Sequence, residues 1–210
     1  MKDIIKEVIA QEALAIKSIP VTDEFIKAID IIYRQVHLKK GKIVASGMGK
    51  AGQIALNIAT TFSSTGTPAV FLHPSDSQHG DLGVVQENDV LFLISNSGKT
   101  REILELVKLA DNLHKGLPII VISGNSESVL AKNADAFLYT GNPKEVCPLG
   151  LTPSTSTTVM TVLGDTLVVS MMHKIGFTSE DYAKRHHGGY LGDKSRAQAM
   201  VSEEIKKLRE

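Results

Sequence analysis

Apolar residues recur along this chain in two rhythms. Ile4, Ile5, Val8, Ile9 and Leu14 follow a 3.6-residue period, which predicts a helix over 4–16. Thr22 stands where an N-cap would open a second helix running to about His37. From residue 42 the rhythm changes. Short apolar runs, KIVAS (42–46), AVFL (69–72), VLFLI (90–94), PIIVIS (118–123) and AFLYT (136–140), now alternate with segments of helical spacing. The first run leads into a helix carrying Ile54, Leu56, Ile58, Ala59 and Phe62, and the second into a helix-forming segment near Pro74. The third leads to a helix ending near Lys115, and the fourth to a short helix. Strands without polar alternation are buried on both faces, as in parallel sheets covered by right-handed crossover helices. The predicted fold class is therefore α/β, a three-layer doubly wound sandwich.

After Thr140 the chain breaks this pattern with GNPKEVCPLGLTPSTSTT, an irregular polar stretch before a long apolar helix from Val159 to Ile175. A loop of that length inside a compact domain is usually functional or disordered, and this one reads as shaped, feeding a helix cap at Ser154–Ser156. HHGGYLG follows, and then a charged tail from Lys194 to Glu210 that reads as a solvated helix or a docking element. With 210 residues the chain fits one domain: N-terminal helices over 1–40, an α/β core with its active-site loops over 42–192, and the tail over 193–210.

Composition narrows the partners. Lys plus Arg and Asp plus Glu both total 23, so no net cationic surface is available to hold nucleic acid or anionic lipid, and any phosphate must be bound locally. The single cysteine, Cys147, excludes an internal disulfide and fits a reducing compartment. No run approaches the roughly 20 apolar residues of a membrane span, and the first residues lack the unbroken apolar core of a signal peptide. A soluble, cytoplasmic protein is expected, with neither nucleic acid nor membrane as a partner.

The strongest chemical signal is SNSGKT, Ser95 to Thr100, between an apolar strand and a helix start. Unpaired N–H groups at a helix N-terminus, with the hydroxyls of Ser95, Ser97 and Thr100 and the amide of Asn96 close by, can hold a phosphate; the simpler reading is ordinary capping. Ligands in open α/β sheets bind at the carboxyl ends of strands, where this loop and GMGKAG (47–52) both fall. GMGKAG fits neither the dinucleotide fingerprint nor a P-loop, yet Gly47 and its neighbours permit close approach to a ligand, and Lys50 places a cation at the helix entrance. FLHPSDSQHGDLG collects His73, Asp76, His79 and Asp81 in a spacing that matches no zinc pattern. His79 is the better proton-transfer candidate, and no metal is expected. Glu102, Glu145 and His186 are unremarkable taken singly, and Cys147 reads as structural.

Together, STGTPAVFLHPSDSQHGDLG, ISNSGKTREI, CPLGLTPSTSTT and YAKRHHGGYLG resemble the arabinose 5-phosphate isomerases of the SIS (sugar isomerase) superfamily, over about Gly47 to Gly192. The resemblance implies a five-stranded parallel sheet flanked by helices, and a homotetramer with active sites between subunits. It also implies interconversion of D-ribulose 5-phosphate and D-arabinose 5-phosphate without a cofactor. The product would supply synthesis of the eight-carbon acid sugar Kdo for bacterial lipopolysaccharide. Carried over residue by residue, catalysis falls on Lys50, His79, Glu102, Glu145 and His186, and phosphate binding on Ser46 and the SNSGKT hydroxyls. Lys99 and His187 depart from the family pattern, which commonly has an acidic residue and a proline there. Larger relatives append a pair of CBS modules, which are not expected here, so feedback by a downstream Kdo metabolite would act at the active site.

Aldose–ketose isomerisation needs a base near C1 and C2, an acid at the carbonyl oxygen and a grip on the phosphate. Either Glu145 or His186 could supply the base, with His79 and Lys50 serving the oxygens and Glu102 orienting Lys50. Two other readings share these motifs: an SIS isomerase for another ketose phosphate, and a non-catalytic sugar-phosphate sensor.

Overall fold

A computed structural model describes residues 1–207; residues 208–210 of the expected tail lie outside the described residues. Five strands, β1 (Ile43–Gly47), β2 (Ala69–Phe71), β3 (Val90–Ile94), β4 (Ile119–Ser123) and β5 (Ala136–Tyr139), form one sheet in the order β2-β1-β3-β4-β5. Every pairing is parallel, with Ile43 opposite Val90 and Leu91 opposite Ile119. Successive strand side chains point to opposite faces. Ile43, Ala45, Phe92, Ile94 and Ile120 therefore join one core, and Val44, Leu91, Leu93 and Val121 the other. The first face is covered by α2 (Glu24–Ile32), α3 (Lys50–Ser64) and α6 (Thr155–Ile175), and the second by α4 (Arg101–Leu113) and α5 (Val129–Lys132). The doubly wound sandwich is the architecture read from the apolar runs.

Two buried details hold the layers in place. Asp89, fully buried ahead of β3, accepts from the Lys42 N–H (2.9 Å) and the Gln86 N–H (2.8 Å) and pairs with Lys42 Nζ at 2.7 Å. It ties the start of β3 to the start of β1. On the other side, a side chain at Gly164 of α6 would lie 2.2 Å from Ile58 Cδ1 of α3, so glycine sets how closely those helices approach.

Local boundaries depart from the sequence reading in places. Asp23, not Thr22, holds the cap position of α2; Thr22 contributes only its carbonyl, to Phe25 N–H at 3.2 Å. The helix then continues as a π-helical turn over Tyr33–Leu38. The segment near Pro74 forms two 3₁₀ turns, Asp76–His79 and Asp81–Val84, divided by Gly80 at φ 114°, because the left-handed glycine ends the first turn. Helix α6 begins at Thr155, ahead of its apolar stretch, since the hydroxyl run 155–158 is helical although polar. A short α7 (Ser179–Ala183), opened by a Thr178–Asp181 capping box, precedes α8 (Gly189–Lys207), which starts before the charged segment.

The first helix, α1 (Lys2–Lys17), has the predicted period but no buried residue. Ile4, Ile5, Ile9 and Leu14 are each more than half exposed, while Glu12 Oε1 accepts from Thr155 Oγ1 at 3.0 Å. Those four apolar positions are left uncovered by this chain, while Ala15 packs against the core. No helix among the described residues is long and apolar enough to cross a membrane.

Candidate active site

At the carboxyl end of the sheet a cavity of about 730 Å³ opens among Met48, Lys50, Ser95, Asn96, Ser97, Thr100, Asn125, Asn142, Glu145, Ser156 and Thr157. The starts of three helices meet there: Lys50 and Ala51 open α3, Thr100 precedes α4, and Ser156 and Thr157 lie in the first turn of α6. Each helix N-terminus carries unpaired N–H groups and a partial positive charge. No side chain caps α3 at Gly49 or α4 at Thr100. Glu145 serves α6: its Oε2 accepts from Ser154 N–H (2.8 Å), Ser154 Oγ (3.1 Å) and Ser156 N–H (3.4 Å), and its Oε1 from Ser156 Oγ. Two helix starts without a capping side chain, and a lysine, thus face one cavity whose third helix start is already neutralised. Such an arrangement of partial positive charge favours an anion.

The SNSGKT loop is shaped by its own bonds. Ser95 Oγ pairs with Thr100 Oγ1 at 2.8 Å and accepts from Gly98 N–H at 3.1 Å, while Lys99 N–H donates to Ser97 Oγ at 3.2 Å. Asn125 Nδ2 braces the loop by donating to the Ser97 carbonyl at 3.0 Å. Gly98 adopts φ 61°, and a Cβ there would lie 2.0 Å from Ser128 Oγ. The turn therefore requires glycine for both conformation and space.

Glu145 is the titrating group most clearly shaped by this environment. Burial pushes its carboxyl up, but the hydrogen bonds from Ser156 and Ser154 outweigh burial and hold it below the usual glutamate value. It stays ionised near neutrality, and its oxygens already accept four hydrogen bonds. Nearby, Cys147 Sγ accepts from the Thr152 N–H (3.1 Å) and Leu151 N–H (3.2 Å), which lowers the thiol to about 7.

The cavity brings together Lys50, Ser95, Asn96, Ser97, Thr100 and Glu145. It does not include the other residues singled out from the sequence. Ser46 is fully buried, with its hydroxyl donating to the Leu72 carbonyl at 2.6 Å, so that hydroxyl is already engaged. Gly47 leaves room for α3, since a Cβ there would meet the Ala51 backbone at 2.7 Å. His79 sits exposed on its 3₁₀ turn, Glu102 in the first turn of α4, and His186 beyond α7, all outside the cavity lining. His73 keeps a buried Nδ1 with no hydrogen-bond partner, 3.7 Å from Asp76 Oδ2. Among the described residues no three His, Cys, Asp or Glu side chains are grouped to hold a metal ion.

Sequence reasoning passed over Met48, Asn125, Asn142 and Thr157. The asparagines had one signal, their place just after apolar runs that end at the same edge of the sheet. Asn142, in a left-handed conformation at φ 49°, follows β5.

Relatives place this site in a family. A model of the SIS domain matches residues 38–170. The chain is 50% identical to the arabinose 5-phosphate isomerase KdsD of Shigella flexneri over 155 residues, 74% of this chain and 47% of that protein. It thus spans about half the length of the curated relatives it matches. Among solved structures, a candidate phosphosugar isomerase involved in capsule formation from Bacteroides fragilis NCTC 9343 is 65% identical, with a TM-score of 0.87, covering 89% of this chain and 97% of that one. A protein of Escherichia coli CFT073, solved in complex with arabinose 5-phosphate, is 36% identical with a TM-score of 0.80 over 87% of this chain and 95% of its own. By its matched domain, its parallel sheet and the cavity at the sheet's carboxyl end, the chain belongs to the SIS domain family.

Proposed function

We propose that this protein interconverts D-ribulose 5-phosphate and D-arabinose 5-phosphate, as an aldose–ketose isomerase that needs no metal or cofactor. The observation that carries the reading is the meeting of the uncapped α3 and α4 N-termini, Lys50 and the ionised Glu145 around one cavity. A phosphate ester fits the helix starts, while the carboxylate and the ammonium remain for the sugar. The choice of pentose is supported by relatives named arabinose 5-phosphate isomerase at 45–50% identity and by the arabinose 5-phosphate complex of the E. coli CFT073 protein. In this reading the enzyme works in the cytoplasm and supplies Kdo synthesis, and a downstream Kdo metabolite inhibits it by entering the same cavity.

The reaction removes a proton from C1 of the ketose. The C1–H electron pair becomes the C1–C2 double bond, and the C2 oxygen takes a proton, giving an enediol. The O1 proton then leaves, the C1 carbonyl forms, and C2 accepts a proton. Glu145, with both oxygens accepting from Ser154 and Ser156, serves as a fixed anion of low basicity. His186 is the better base, and Lys50 steadies charge on the oxygens. Glu102 orients Lys50. His79 and His186 lie outside this cavity, so a second copy supplies them, in a homotetramer with intersubunit sites. The uncovered Ile4, Ile5, Ile9 and Leu14 of α1 are consistent with such an assembly.

Incubating the protein with D-ribulose 5-phosphate, with and without a chelator, and identifying the aldose tests this directly. D-Arabinose 5-phosphate formed equally in both arms is expected. Sugar-phosphate binding without turnover would replace the proposal with a sensor. Turnover of only a different ketose phosphate would assign another isomerase activity.

A further inference from the structure

The segment between α6 and α8 contains an aromatic ladder that the reaction as described leaves unused. Phe177 packs over Gly66, where a Cβ would lie 2.8 Å from the ring. The Tyr182 ring meets Phe177 edge-on, with centroids 6.3 Å apart. His186 then stacks on Tyr182 at a centroid distance of 3.8 Å and an interplanar angle of 7°. His186 Nδ1 lies 3.1 Å from the Tyr182 carbonyl oxygen. That oxygen also accepts from the Arg185 N–H (3.0 Å) and the His186 N–H (3.1 Å); since a carbonyl can only accept, Nδ1 joins them as a donor, and in the neutral ring Nε2 is then the bare nitrogen. A half-turn of the ring about Cβ–Cγ would keep the stack but put a carbon in the place of Nδ1, and so lose the hydrogen bond.

We infer that Tyr182 is a positioning residue for His186: its ring holds the plane of the imidazole so that Nδ1–H meets the Tyr182 carbonyl, and Nε2 is presented as the proton acceptor. This rests on the reading above that His186 is the base. The arrangement follows the general logic of a histidine base, in which a partner on one nitrogen decides which nitrogen does the chemistry. Here the partner is a backbone carbonyl, and the aromatic stack holds the ring plane. The stack is the part a side-chain substitution can remove. Tyr182 is itself anchored through Phe177 to the close approach at Gly66, so the imidazole is referenced to the core of its own subunit even though it serves a site outside it.

The test uses the full-length protein and three variants. Nitrogen-15 shifts of His186 at a pH where the imidazole is neutral report the tautomer, and steady-state turnover of D-ribulose 5-phosphate reports function. Wild type should show Nδ1–H. Y182F, which keeps the stack, should retain that tautomer and turn over within about twofold of wild type. Y182L should show a mixture containing Nε2–H and lose roughly tenfold to a hundredfold in kcat with KM little changed, the signature of a misplaced catalytic group. H186A should lose roughly 10²–10⁴-fold. An Nε2–H tautomer in wild type would overturn the inference, as would a Y182L protein that turns over like wild type while H186A is impaired. If H186A itself turns over normally, the assignment of the base has failed, and the role of Tyr182 fails with it. Should Y182L not assemble, the tautomers of wild type and Y182F still decide the matter.

Discussion

Replacing Gly98 by alanine tests whether the SNSGKT turn is the phosphate grip. The residue stands at φ 61°, a conformation that costs a residue with a Cβ about 1–2 kcal/mol. The new methyl would also lie 2.0 Å from Ser128 Oγ and 2.4 Å from Ser128 Cβ. Ser128 caps α5, accepting from Ala131 N–H at 3.2 Å and donating to the Asn125 carbonyl at 2.8 Å, so moving it away forfeits a cap worth about 1 kcal/mol. The two costs sum to about 2–3 kcal/mol. If the loop keeps its shape, the loss appears in stability; if the loop relaxes, its amides turn away and the loss appears in anion affinity. Denaturant unfolding and inhibition by inorganic phosphate, measured on the same protein, should together account for that sum. A loss falling wholly on affinity would weaken phosphate roughly 30- to 150-fold. S128G alone should cost only a few tenths of a kcal/mol, and combining it with G98A should restore about 1 kcal/mol by removing the collision. A G98A protein unchanged in both measurements, or a strictly additive double variant, would refute the reasoning.

Three further outcomes follow from other parts of the structure. Alkylation of Cys147 by iodoacetamide should have a pH midpoint of about 7, and a midpoint near the ordinary value of 9.0 would show that the Thr152 and Leu151 amides do not reach the sulfur. D89A should lower unfolding free energy by about 3–5 kcal/mol in urea, because Lys42 loses its buried carboxylate partner and two part-buried N–H groups lose their acceptor; a loss below about 1 kcal/mol would contradict that account. Because the Glu145 carboxyl is lowered on folding, it stabilises the fold above its ordinary value of 4.5, and that contribution disappears as pH falls through the lower folded value. Urea midpoints of wild type should therefore fall below about pH 4.5 more steeply than those of E145Q, and parallel curves would be evidence against the Ser154–Ser156 cradle.

The strands were legible because burial on both faces leaves unbroken apolar runs: VLFLI is β3 residue for residue. Parallel pairing and the position of SNSGKT at a strand's carboxyl end follow from the same alternation of strands and helices. The meeting of three helix N-termini was not legible, since it depends on the order β2-β1-β3-β4-β5, which no local spacing encodes. The anchoring of Glu145 by Ser154 and Ser156 bridges nine and eleven positions of irregular chain, beyond the reach of any helical or strand period. Ser46 and Gly47 have a second use that the sequence did not show. Both sit where a ligand contact is expected, yet the fold uses one for a hydrogen bond to Leu72 and the other for the approach of α3. His79, Glu102 and His186 carry suitable chemistry in the sequence, but one chain alone does not bring them into the cavity with Glu145.

The most direct measurement of the central claim is the conversion of D-ribulose 5-phosphate in D₂O, followed by NMR of the sugar phosphates. An enediol route with an exchangeable base predicts D-arabinose 5-phosphate carrying solvent deuterium at C2. Tight binding of the ketose with no aldose formed, or an aldose with no deuterium at C2, would contradict it.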